Sequence, residues 1–318
     1  MEKLIRGTGS NNSCNFFNSS FNSYPSRFLK FQFKIKIIFK KFIDLVYNYC
    51  FHCDSFIFNL RMKKINLAIT GCFGRMGQQI IKSVKSDKSF KIITLTDNRK
   101  IKKKIGGVKI NYNTKEAFKK ANLIIDFSVP KCTFEVLKIA SEQNKRVVIG
   151  TTGFTKKEEK LIYKYSKKIP ILKAGNMSLG INLLMHLTEI ASNSLGKNFL
   201  SKIFEIHHKY KKDYPSGTAL MLGKGIAKGK NMDFYNLIGK KYLNKKNFPY
   251  NKKINFNSIR KGEIIGEHEV KFSSGKEIIT LNHEAFDRAL YSEGALSAAK
   301  WLMKKKPGLY SMRDLMNF

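Results

Sequence analysis

The sequence is short of cysteine, and its cysteines are not spaced as a disulfide framework. The 318 residues contain five of them, at Cys14, Cys50, Cys53, Cys72 and Cys132. An odd number with scattered spacing argues against paired disulfides. The C-x-x-C formed by Cys50 and Cys53 has no second ligand pair at the distance a zinc site needs. We therefore expect a reducing, cytoplasmic setting and no bound metal.

A long apolar run is also missing. A membrane-spanning helix needs about 18 or more apolar residues in succession, and lysines and aspartates interrupt even the apolar segment at 31–60. The compact order of a signal peptide, with a basic start, an apolar middle and a small-residue cleavage site, is absent too. We expect no association with a membrane.

Acidic residues are scarce. There are 23 of them against 60 lysines and arginines, which gives a formal net charge of +37. Clustered basic residues would suggest nucleic-acid binding, but the lysines occur in nearly every segment and no RNA- or DNA-binding motif accompanies them. A compositional drift toward lysine explains the charge better, so we predict no nucleic-acid partner. The charge still favours anionic substrates.

Residues 1–61 differ in composition from the rest of the chain. They are rich in Phe, Asn, Ser and Lys, and they show no clear periodicity. We expect this extension to be disordered or to reflect a mis-assigned start, with a transit peptide as an open alternative. Met62 stands directly before the strand-like KKINLAITG, so we take Met62 as the working start.

From Lys63 onward, short apolar strands alternate with amphipathic helices. The strand-like segments lie at 65–70, 91–97, 122–130, 146–153 and 169–176, and the helical patterns at 71–86, 133–143 and 158–168. Alternation at this spacing predicts a doubly wound parallel sheet. The third strand is expected to end at Pro130.

The pattern changes after Asn176. Helices are predicted at 179–192, 216–229 and 292–306, and strands at 201–208, 256–272 and 276–286. Successive strands without intervening helices predict a second, mostly antiparallel sheet. The fold class expected is therefore α/β, with an N-terminal Rossmann sheet and a C-terminal domain built on a mixed sheet.

A glycine-rich turn follows the first predicted strand. Gly71, Gly74 and Gly77 form G-x-x-G-x-x-G before a helix, which is typical of a turn that receives a dinucleotide pyrophosphate. Asp97 ends the next strand, where a carboxylate can bind the adenosine ribose. Arg75 or Arg99 would suit a 2′-phosphate, so NADH and NADPH both stay open. As an alternative, Asp97 is an ordinary turn residue.

Two further turns follow predicted strands. They are Gly150-Thr151-Thr152-Gly153 and Ala174-Gly175-Asn176-Met177. Ligands of a doubly wound sheet bind outside the carboxyl ends of its strands. We therefore expect the nicotinamide to lie against these two turns, with their hydroxyls and amides orienting it.

The segment EIHHKYKKDYPSGTAL, residues 205–220, gathers proton-transfer groups beside a helix start. Ser216 is a plausible N-cap, and the free amides of Gly217 and Thr218 would hold a carboxylate. His207 ends a strand, with Lys211 four residues later, and near a cofactor such groups can donate a proton. The residues alone leave this interpretation open against a solvated charge run and a polar rim.

The same segment resembles the signature of the 4-hydroxy-tetrahydrodipicolinate reductase family, E-x-H-H-x-x-K-x-D-x-P-S-G-T-A, at every fixed position. The similarity continues in GCFGRMG, IIDFSVP, VVIGTTGF, AGNMSLGIN, RKGEIIGEHEV and the MRDL near the chain end. It covers residues 63–318 and none of the first 61. The family's reaction is reduction of a cyclic dicarboxylate of the diaminopimelate and lysine pathway by NADPH or NADH, with loss of water.

The resemblance implies a role for each matching residue. His207 is implied as the catalytic proton donor or acceptor, Lys211 as the general acid, and His208, Gly217 and Thr218 as substrate contacts. The implied cofactor contacts are Gly71, Cys72, Phe73, Gly74, Arg75, Met76, Asp97, Gly150, Thr151, Thr152, Ala174, Gly175, Asn176 and Met177.

The resemblance also implies a division of the chain and an assembly. Residues 62–177 would form the dinucleotide-binding domain and 178–283 the substrate-binding and tetramerisation domain, and 284–318 would return to the first. Family members are homotetramers built through the second sheet. Cys72 replaces a frequent alanine, and Asn98 stands where an arginine often follows the acid, which puts a strong NADPH preference in doubt. Residues 98–114 are shorter than in many members, which implies a trimmed loop there. A semialdehyde dehydrogenase is disfavoured, because no cysteine follows Cys132 to act as its nucleophile.

Overall fold

The computed structural model describes residues 64–99, 104–195, 198–238 and 254–318. The extension at 1–61 and the C-x-x-C within it lie outside these residues, as does Met62. The described strands are β1 Ile65–Thr70, β2 Phe90–Thr96, β3 Lys104–Ile105, β4 Val108–Asn111, β5 Leu123–Asp126, β6 Arg146–Ile149, β7 Pro170–Lys173, β8 Leu200–His207, β9 Ile254–Arg260, β10 Gly266–Ser273, β11 Ile278–Ala285 and β12 Gly308–Tyr310. The described helices are α1 Arg75–Ser86, α2 Lys115–Phe118, α3 Pro130–Glu142, α4 Lys156–Ser166, α5 Leu179–Ser194, α6 Gly217–Gly229, α7 Phe234–Ile238, α8 Ala289–Leu302 and α9 Met312–Met316.

The first sheet has eight strands in the order β12-β7-β6-β5-β1-β2-β4-β3. All its pairings are parallel except that of β3 with β4. The chain runs outward from β1 in both directions, so the order reverses beside β1, where doubly wound sheets bind their ligands. The predicted Rossmann sheet is confirmed.

Apolar side chains cover both faces of this sheet. Leu67 and Ile69 of β1 pack in one cluster with Ile80 of α1 and Leu302 of α8. Ala68, between them in sequence, packs in the other cluster with helices α3 and α4. Successive side chains of a strand point to opposite faces, so a run such as INLAIT is buried on both sides. Helix α8 comes from the end of the chain and packs beside α1.

The second sheet has four strands in the order β11-β10-β8-β9. Strand β10 pairs antiparallel with β8 and β11, whereas β8 and β9 are parallel. Helices α5 and α6 pack on one face, around a core that includes Ile181, Ile203, Leu222 and Val270. The mixed C-terminal sheet is also confirmed. Residues Lys63–Phe318 form one compact unit.

Three local predictions differ from the structure. Pro130 does not end a strand: β5 ends at Asp126, and Pro130 is the first residue of α3, where its missing N–H costs nothing. The predicted strand at 256–272 is two strands, separated by a turn at Gly262 with φ +55°. Part of the predicted loop at 98–114 forms β3 and β4, and β4 extends the first sheet beside β2.

Candidate active site

The glycine turn after β1 has room only for glycine at two positions. Gly71 has φ +73°, and a Cβ there would lie 2.4 Å from the carbonyl oxygen of Phe127. A Cβ on Gly77 would lie 2.2 Å from the oxygen of Gly71. The first-turn amides of a helix have no intrahelical acceptor, and in α1 no side chain of the N-cap residue Gly74 accepts from them. The donor set suits a phosphate group.

Asp97, at the end of β2, is held by two partners. Its carboxylate accepts Nε–H and Nη2–H bonds from Arg99 at 2.9 and 3.1 Å, and the backbone N–H of Phe73 at 3.1 Å. Burial tends to raise the pKa of Asp97, but the bonds from Arg99 and Phe73 lower it overall. The guanidinium of Arg99 also lies 5.1 Å from the Phe73 ring centroid. The carboxylate therefore stays ionised with its charge partly neutralised.

The ends of β5, β6 and β7 lie side by side on the cleft. A Cβ on Gly150 would overlap the ring of Phe127 at 2.2 Å, so the two turns are in close contact. Asn176 joins this edge to the second sheet's helices: its Nδ2 donates to Thr218 Oγ1 at 3.1 Å, and its Oδ1 accepts the N–H of Ser178 at 2.9 Å. The cofactor-side turn and the start of α6 are thus directly hydrogen-bonded.

His207 is the last residue of β8, and a buried carboxylate lies behind it. Glu205 Oε2 is 3.2 Å from His207 Nδ1. The other oxygen of Glu205 accepts the N–H of Ser216 at 2.9 Å and the Nη2–H of Arg260 at 3.1 Å. Burial would raise the pKa of Glu205, yet hydrogen bonds from His207 and Ser216 hold it far below its usual range. The Glu205 carboxylate therefore stays ionised, with one oxygen 3.2 Å from the Nδ1 of His207.

His268 also contacts Glu205, His207 and Ser216, and the sequence did not predict it as a site residue. It lies on β10, edge-on to His207 with ring centroids 4.9 Å apart. Its Nε2 is 3.3 Å from Ser216 Oγ and 3.7 Å from Glu205 Oε2. Burial, with the neighbouring charge of His207, lowers the pKa of His268 to about 3. The available signal was strand alternation, which puts His268 on the same buried face as Val270.

Glu205, His207 and His268 offer ligand atoms that all lie within 4.8 Å of one another. Such a group is able to bind a divalent cation. Here, however, the carboxylate already carries the guanidinium of Arg260, and adding a metal would place two cationic groups on one buried acid. The charges favour a hydrogen-bonded network over a metal site.

A cleft of about 590 Å³ brings the two sheets' contributions together. From the second sheet come His207, His208, Lys211 and the start of α6. Lys211 Nζ lies 2.8 Å from Asp213 Oδ1. Burial, then the charges of Arg288, His207 and Lys211, lower the pKa of His208, which favours its neutral form.

Comparison with known proteins shows the family to which this chain belongs. A family model described as dihydrodipicolinate reductase, N-terminus, matches residues 65–177, and one described as dihydrodipicolinate reductase, C-terminus, matches residues 180–316. The 4-hydroxy-tetrahydrodipicolinate reductase of Pelagibacter ubique is 75% identical over 257 residues, covering 81% of this chain and 100% of that one. The chain belongs to the dihydrodipicolinate reductase family.

Further reductases of the same description are also similar to this chain. The 4-hydroxy-tetrahydrodipicolinate reductase of Buchnera aphidicola (strain Sg) is 40% identical over 270 residues, covering 81% of this chain and 98% of that one. The dipicolinate-bound dihydrodipicolinate reductase from Paenisporosarcina superposes with a TM-score of 0.64 at 23% identity, covering 78% of this chain and 98% of that chain. The family and the reductase activity predicted from the signature are confirmed.

Most of the residues that we predicted for the site from the sequence line the cleft described above. On the cofactor side these are Arg75, Met76, Gly150, Thr152, Ala174, Gly175, Asn176 and Met177, and on the substrate side His207, His208, Lys211, Gly217 and Thr218. The cleft also contains residues that the sequence analysis missed, namely Phe127, Met221, Ile265, Arg288 and Tyr291. These residues come from separate parts of the sequence, and only the fold brings them to the same cleft.

Six of the expected cofactor contacts lie beside this cleft without lining it: Gly71, Cys72, Phe73, Gly74, Asp97 and Thr151. The thiol of Cys72 is fully buried, and burial with the charge of Asp97 raises its pKa to about 11. The hydroxyl of Thr151 faces inward, donating to Asp126. For these two residues a cofactor contact would have to come from the backbone, and that contact stays a prediction.

Proposed function

We propose that this cleft reduces 4-hydroxy-tetrahydrodipicolinate to tetrahydrodipicolinate with NADPH or NADH. The observation that carries the proposal is the placement of His207, Lys211 and the free end of α6 opposite the strand ends of the Rossmann sheet, across one cleft. A bound nicotinamide would supply the hydride. The net reaction replaces a ring C–O bond by C–H, takes up one hydride and one proton, and releases water.

The glycine turn and the first turn of α1 suit the cofactor pyrophosphate, because no side chain fills the turn and the helix amides are free. Asp97 would accept the adenosine ribose hydroxyls. Arg99 neutralises part of that carboxylate and stands beside it, so a 2′-phosphate would not face a bare negative charge. We infer that the site accepts both NADH and NADPH.

The start of α6 would hold one substrate carboxylate. Ser216 caps the helix by accepting the N–H of Ala219 at 3.1 Å, which leaves the amides of Gly217 and Thr218 directed at the cleft end of the helix. Lys211 and Arg288 supply cationic groups for the second carboxylate. Dipicolinate, which is bound to the Paenisporosarcina reductase, is itself a cyclic dicarboxylate, in line with this assignment.

His207 would move the proton that the reaction consumes. Glu205 fixes its Nδ1 side, so the opposite ring nitrogen is the one left for exchange with substrate. Lys211 would act as the general acid beside it, with Asp213 holding the ammonium in place at 2.8 Å. Both roles rest on the proximity of these groups in the cleft and on the family signature.

We also propose the division of the chain implied by the family, at 62–177, 178–283 and 284–318. The pairing of β12 with β7 and the packing of α8 beside α1 support a return of the chain end to the first sheet. The described helices include none long and apolar enough to cross a membrane. The cytoplasmic setting stays a prediction.

A homotetramer built through the second sheet is the assembly we propose. Helices α5 and α6 cover one face of that sheet, whereas the other face carries side chains such as Phe204, Ile206 and Ile259, with Ile259 37% exposed. An open sheet face with apolar side chains is typical of a surface buried on association.

The function is tested with the purified full chain. Pyruvate, aspartate semialdehyde and the preceding synthase generate the substrate in place, and nicotinamide absorbance is followed with NADH and NADPH in parallel. Substrate-dependent oxidation of the cofactor, inhibited by added dipicolinate, is the expected result. A folded protein that binds cofactor but shows no such oxidation would contradict the assigned reaction.

A further inference from the structure

Asp126 is a fully buried carboxyl group that none of the steps above uses. It ends β5 beside β1 and β6, and none of its surface is exposed. Its oxygens accept hydrogen bonds from three hydroxyls: Ser128 at 2.5 Å, Thr133 at 2.5 Å and Thr151 at 3.0 Å. The ion pairs of the described residues include none to Asp126. A buried acid with no cationic partner is costly, which raises the question of what it does.

Two of its three donors belong to turns that line the cleft. Ser128 follows Phe127 in the turn after β5, and Thr151 lies between Gly150 and Thr152 in the turn after β6. The oxygen of Thr151 in turn accepts the backbone N–H of Ser128 at 2.9 Å. The carboxylate therefore ties the two strand ends to each other. The third donor, Thr133, is in the first turns of α3 and does not line the cleft.

The turns held by Asp126 have little room to shift. The Phe127 carbonyl is where a Cβ on Gly71 would collide, and the Phe127 ring is where a Cβ on Gly150 would collide. Phe127 is thus packed between the glycine turn and the turn after β6. Close packing transmits small displacements. A change at the Asp126 carboxyl group would therefore move the backbone of the glycine turn and of the turn after β6, which both lie on the cofactor side of the cleft.

We propose that Asp126 is a positioning residue, which holds the turns after β5 and β6 in the arrangement that receives the nicotinamide without touching it. This inference rests on the proposed function, because it assumes a nicotinamide against those turns. The carboxyl group suits the task, since its two oxygens bond three hydroxyls that come from different turns. An asparagine would offer one acceptor oxygen and turn an N–H toward a hydroxyl that now donates.

Burial raises the pKa of Asp126, and the bonds from Ser128, Thr133 and Thr151 offset part of that rise. The pKa of Asp126 is therefore raised overall, and the three hydroxyls limit the rise while bonding the group to the turns. Removing one hydroxyl weakens this support, and the position of that hydroxyl decides whether the cofactor turns are affected.

The test compares Asp126→Asn and Thr151→Val with Thr133→Val as a matched control. Thr133→Val also removes one hydroxyl from Asp126, but from the α3 side. We would measure the dissociation constants of NADH and NADPH by fluorescence titration, KM and kcat, and the thermal midpoint. Asp126→Asn and Thr151→Val should raise the cofactor dissociation constant and KM about tenfold, because small displacements in a binding site are costly. Thr133→Val should lower the thermal midpoint and leave cofactor binding within about twofold of wild type.

Cofactor binding that weakens equally in Thr133→Val and Thr151→Val, in step with their thermal midpoints, would overturn the proposal and make Asp126 a structural residue only. If Asp126→Asn does not fold, the pair of threonine variants still decides. A wild-type chain that binds neither NADH nor NADPH would overturn the proposal as well. A chain that binds cofactor but does not reduce the substrate would refute the proposed function alone, and the binding comparison would still test Asp126.

Discussion

Arg99 bears on cofactor choice through its two bonds to Asp97. With the guanidinium in place, the carboxylate is partly neutralised and accepts the Phe73 N–H, while the guanidinium itself lies over the Phe73 ring. Without it, a cofactor 2′-phosphate would meet an uncompensated negative charge. The choice between NADH and NADPH could not be made from the sequence. The sequence shows Asp97 and Arg99 close together, but not that their side chains pair.

Arg99→Ala should therefore raise KM for NADPH about tenfold and change KM for NADH less than about threefold, since only NADPH carries the 2′-phosphate. Initial rates with each cofactor measure this. Lys91→Ala removes the same charge from the opposite end of β2 and should leave both KM values unchanged. Equal effects of Arg99→Ala on the two cofactors would contradict the assigned role.

His268 should make stability depend on acidity. Its folded pKa of about 3 lies below the value of 6.5 from which it is lowered, so the unfolded chain binds more protons between these pH values. The free energy of unfolding should then fall as pH drops through this window, by up to about 1.4 kcal/mol per pH unit. Glu205, whose pKa is depressed from 4.5, adds its own loss only below about pH 4.5, in the lower part of this window.

Urea unfolding of wild type and His268→Gln at pH 7 and pH 5 measures this dependence. The loss of unfolding free energy between the two pH values should be smaller by about 2 kcal/mol in His268→Gln. His186→Gln, which removes a histidine from α5 outside this network, should keep the wild-type loss. A pH dependence identical in wild type and His268→Gln would refute the buried, neutral state assigned to His268.

At the scale of elements, α6 matters because of how it begins. Ser216 caps the helix, contributes its backbone N–H to Glu205 and approaches His268. The cap, the orientation of His207 and the proposed carboxylate site therefore share one residue. Helix α4 begins with a comparable cap at Thr155, which forms a capping box with Glu158 away from the cleft.

Ser216→Ala and Thr155→Ala should each lower the free energy of unfolding by about 1 kcal/mol, as is usual for a lost N-cap. Only Ser216→Ala should also raise KM for the substrate, by about tenfold, because the helix end that would hold a carboxylate loses its support. Denaturant unfolding and steady-state kinetics separate the two effects. An unchanged substrate KM in Ser216→Ala would count against the carboxylate site.

The elements were predictable wherever a local pattern marked them. Glycines and a buried strand indicated β1 and α1, and Ser216 before Gly217 indicated the start of α6. The predicted strand at 256–272 was wrong because its alternation was followed through Gly262, whose positive φ turns the chain. Pro130 was assigned to a strand end although proline is equally suited to the first helical turn.

The site was less predictable than the elements. The signature located His207, Lys211 and the α6 amides because they lie within one short segment. His268 and Asp126 contact residues distant in sequence, namely Ser216 for His268 and Thr151 for Asp126. No local pattern carries those pairings, since they arise only when strands of one sheet and helices over it come together.

At the scale of the whole molecule, the proposed tetramer is tested by placing a charge on the open face of the second sheet. Ile259→Lys places a charge on that face, whereas Leu161→Lys places one on α4, where the leucine is similarly exposed at 39%. Light scattering after size exclusion should give a tetramer for wild type and Leu161→Lys, and smaller species for Ile259→Lys, because burying an unpaired charge opposes association. A wild-type monomer would contradict the tetramer.

The central claim is that His207 moves the proton in a cleft that also binds cofactor and substrate. The most direct measurement is the rate of substrate-dependent NADPH and NADH oxidation by full-length wild type and His207→Gln, with cofactor dissociation constants determined for both. Wild type should turn over, and His207→Gln should be slower by about 10²–10³-fold, the usual contribution of general acid–base catalysis, with cofactor binding unchanged. Equal rates in the two proteins would contradict the role given to His207 and the mechanism built on it.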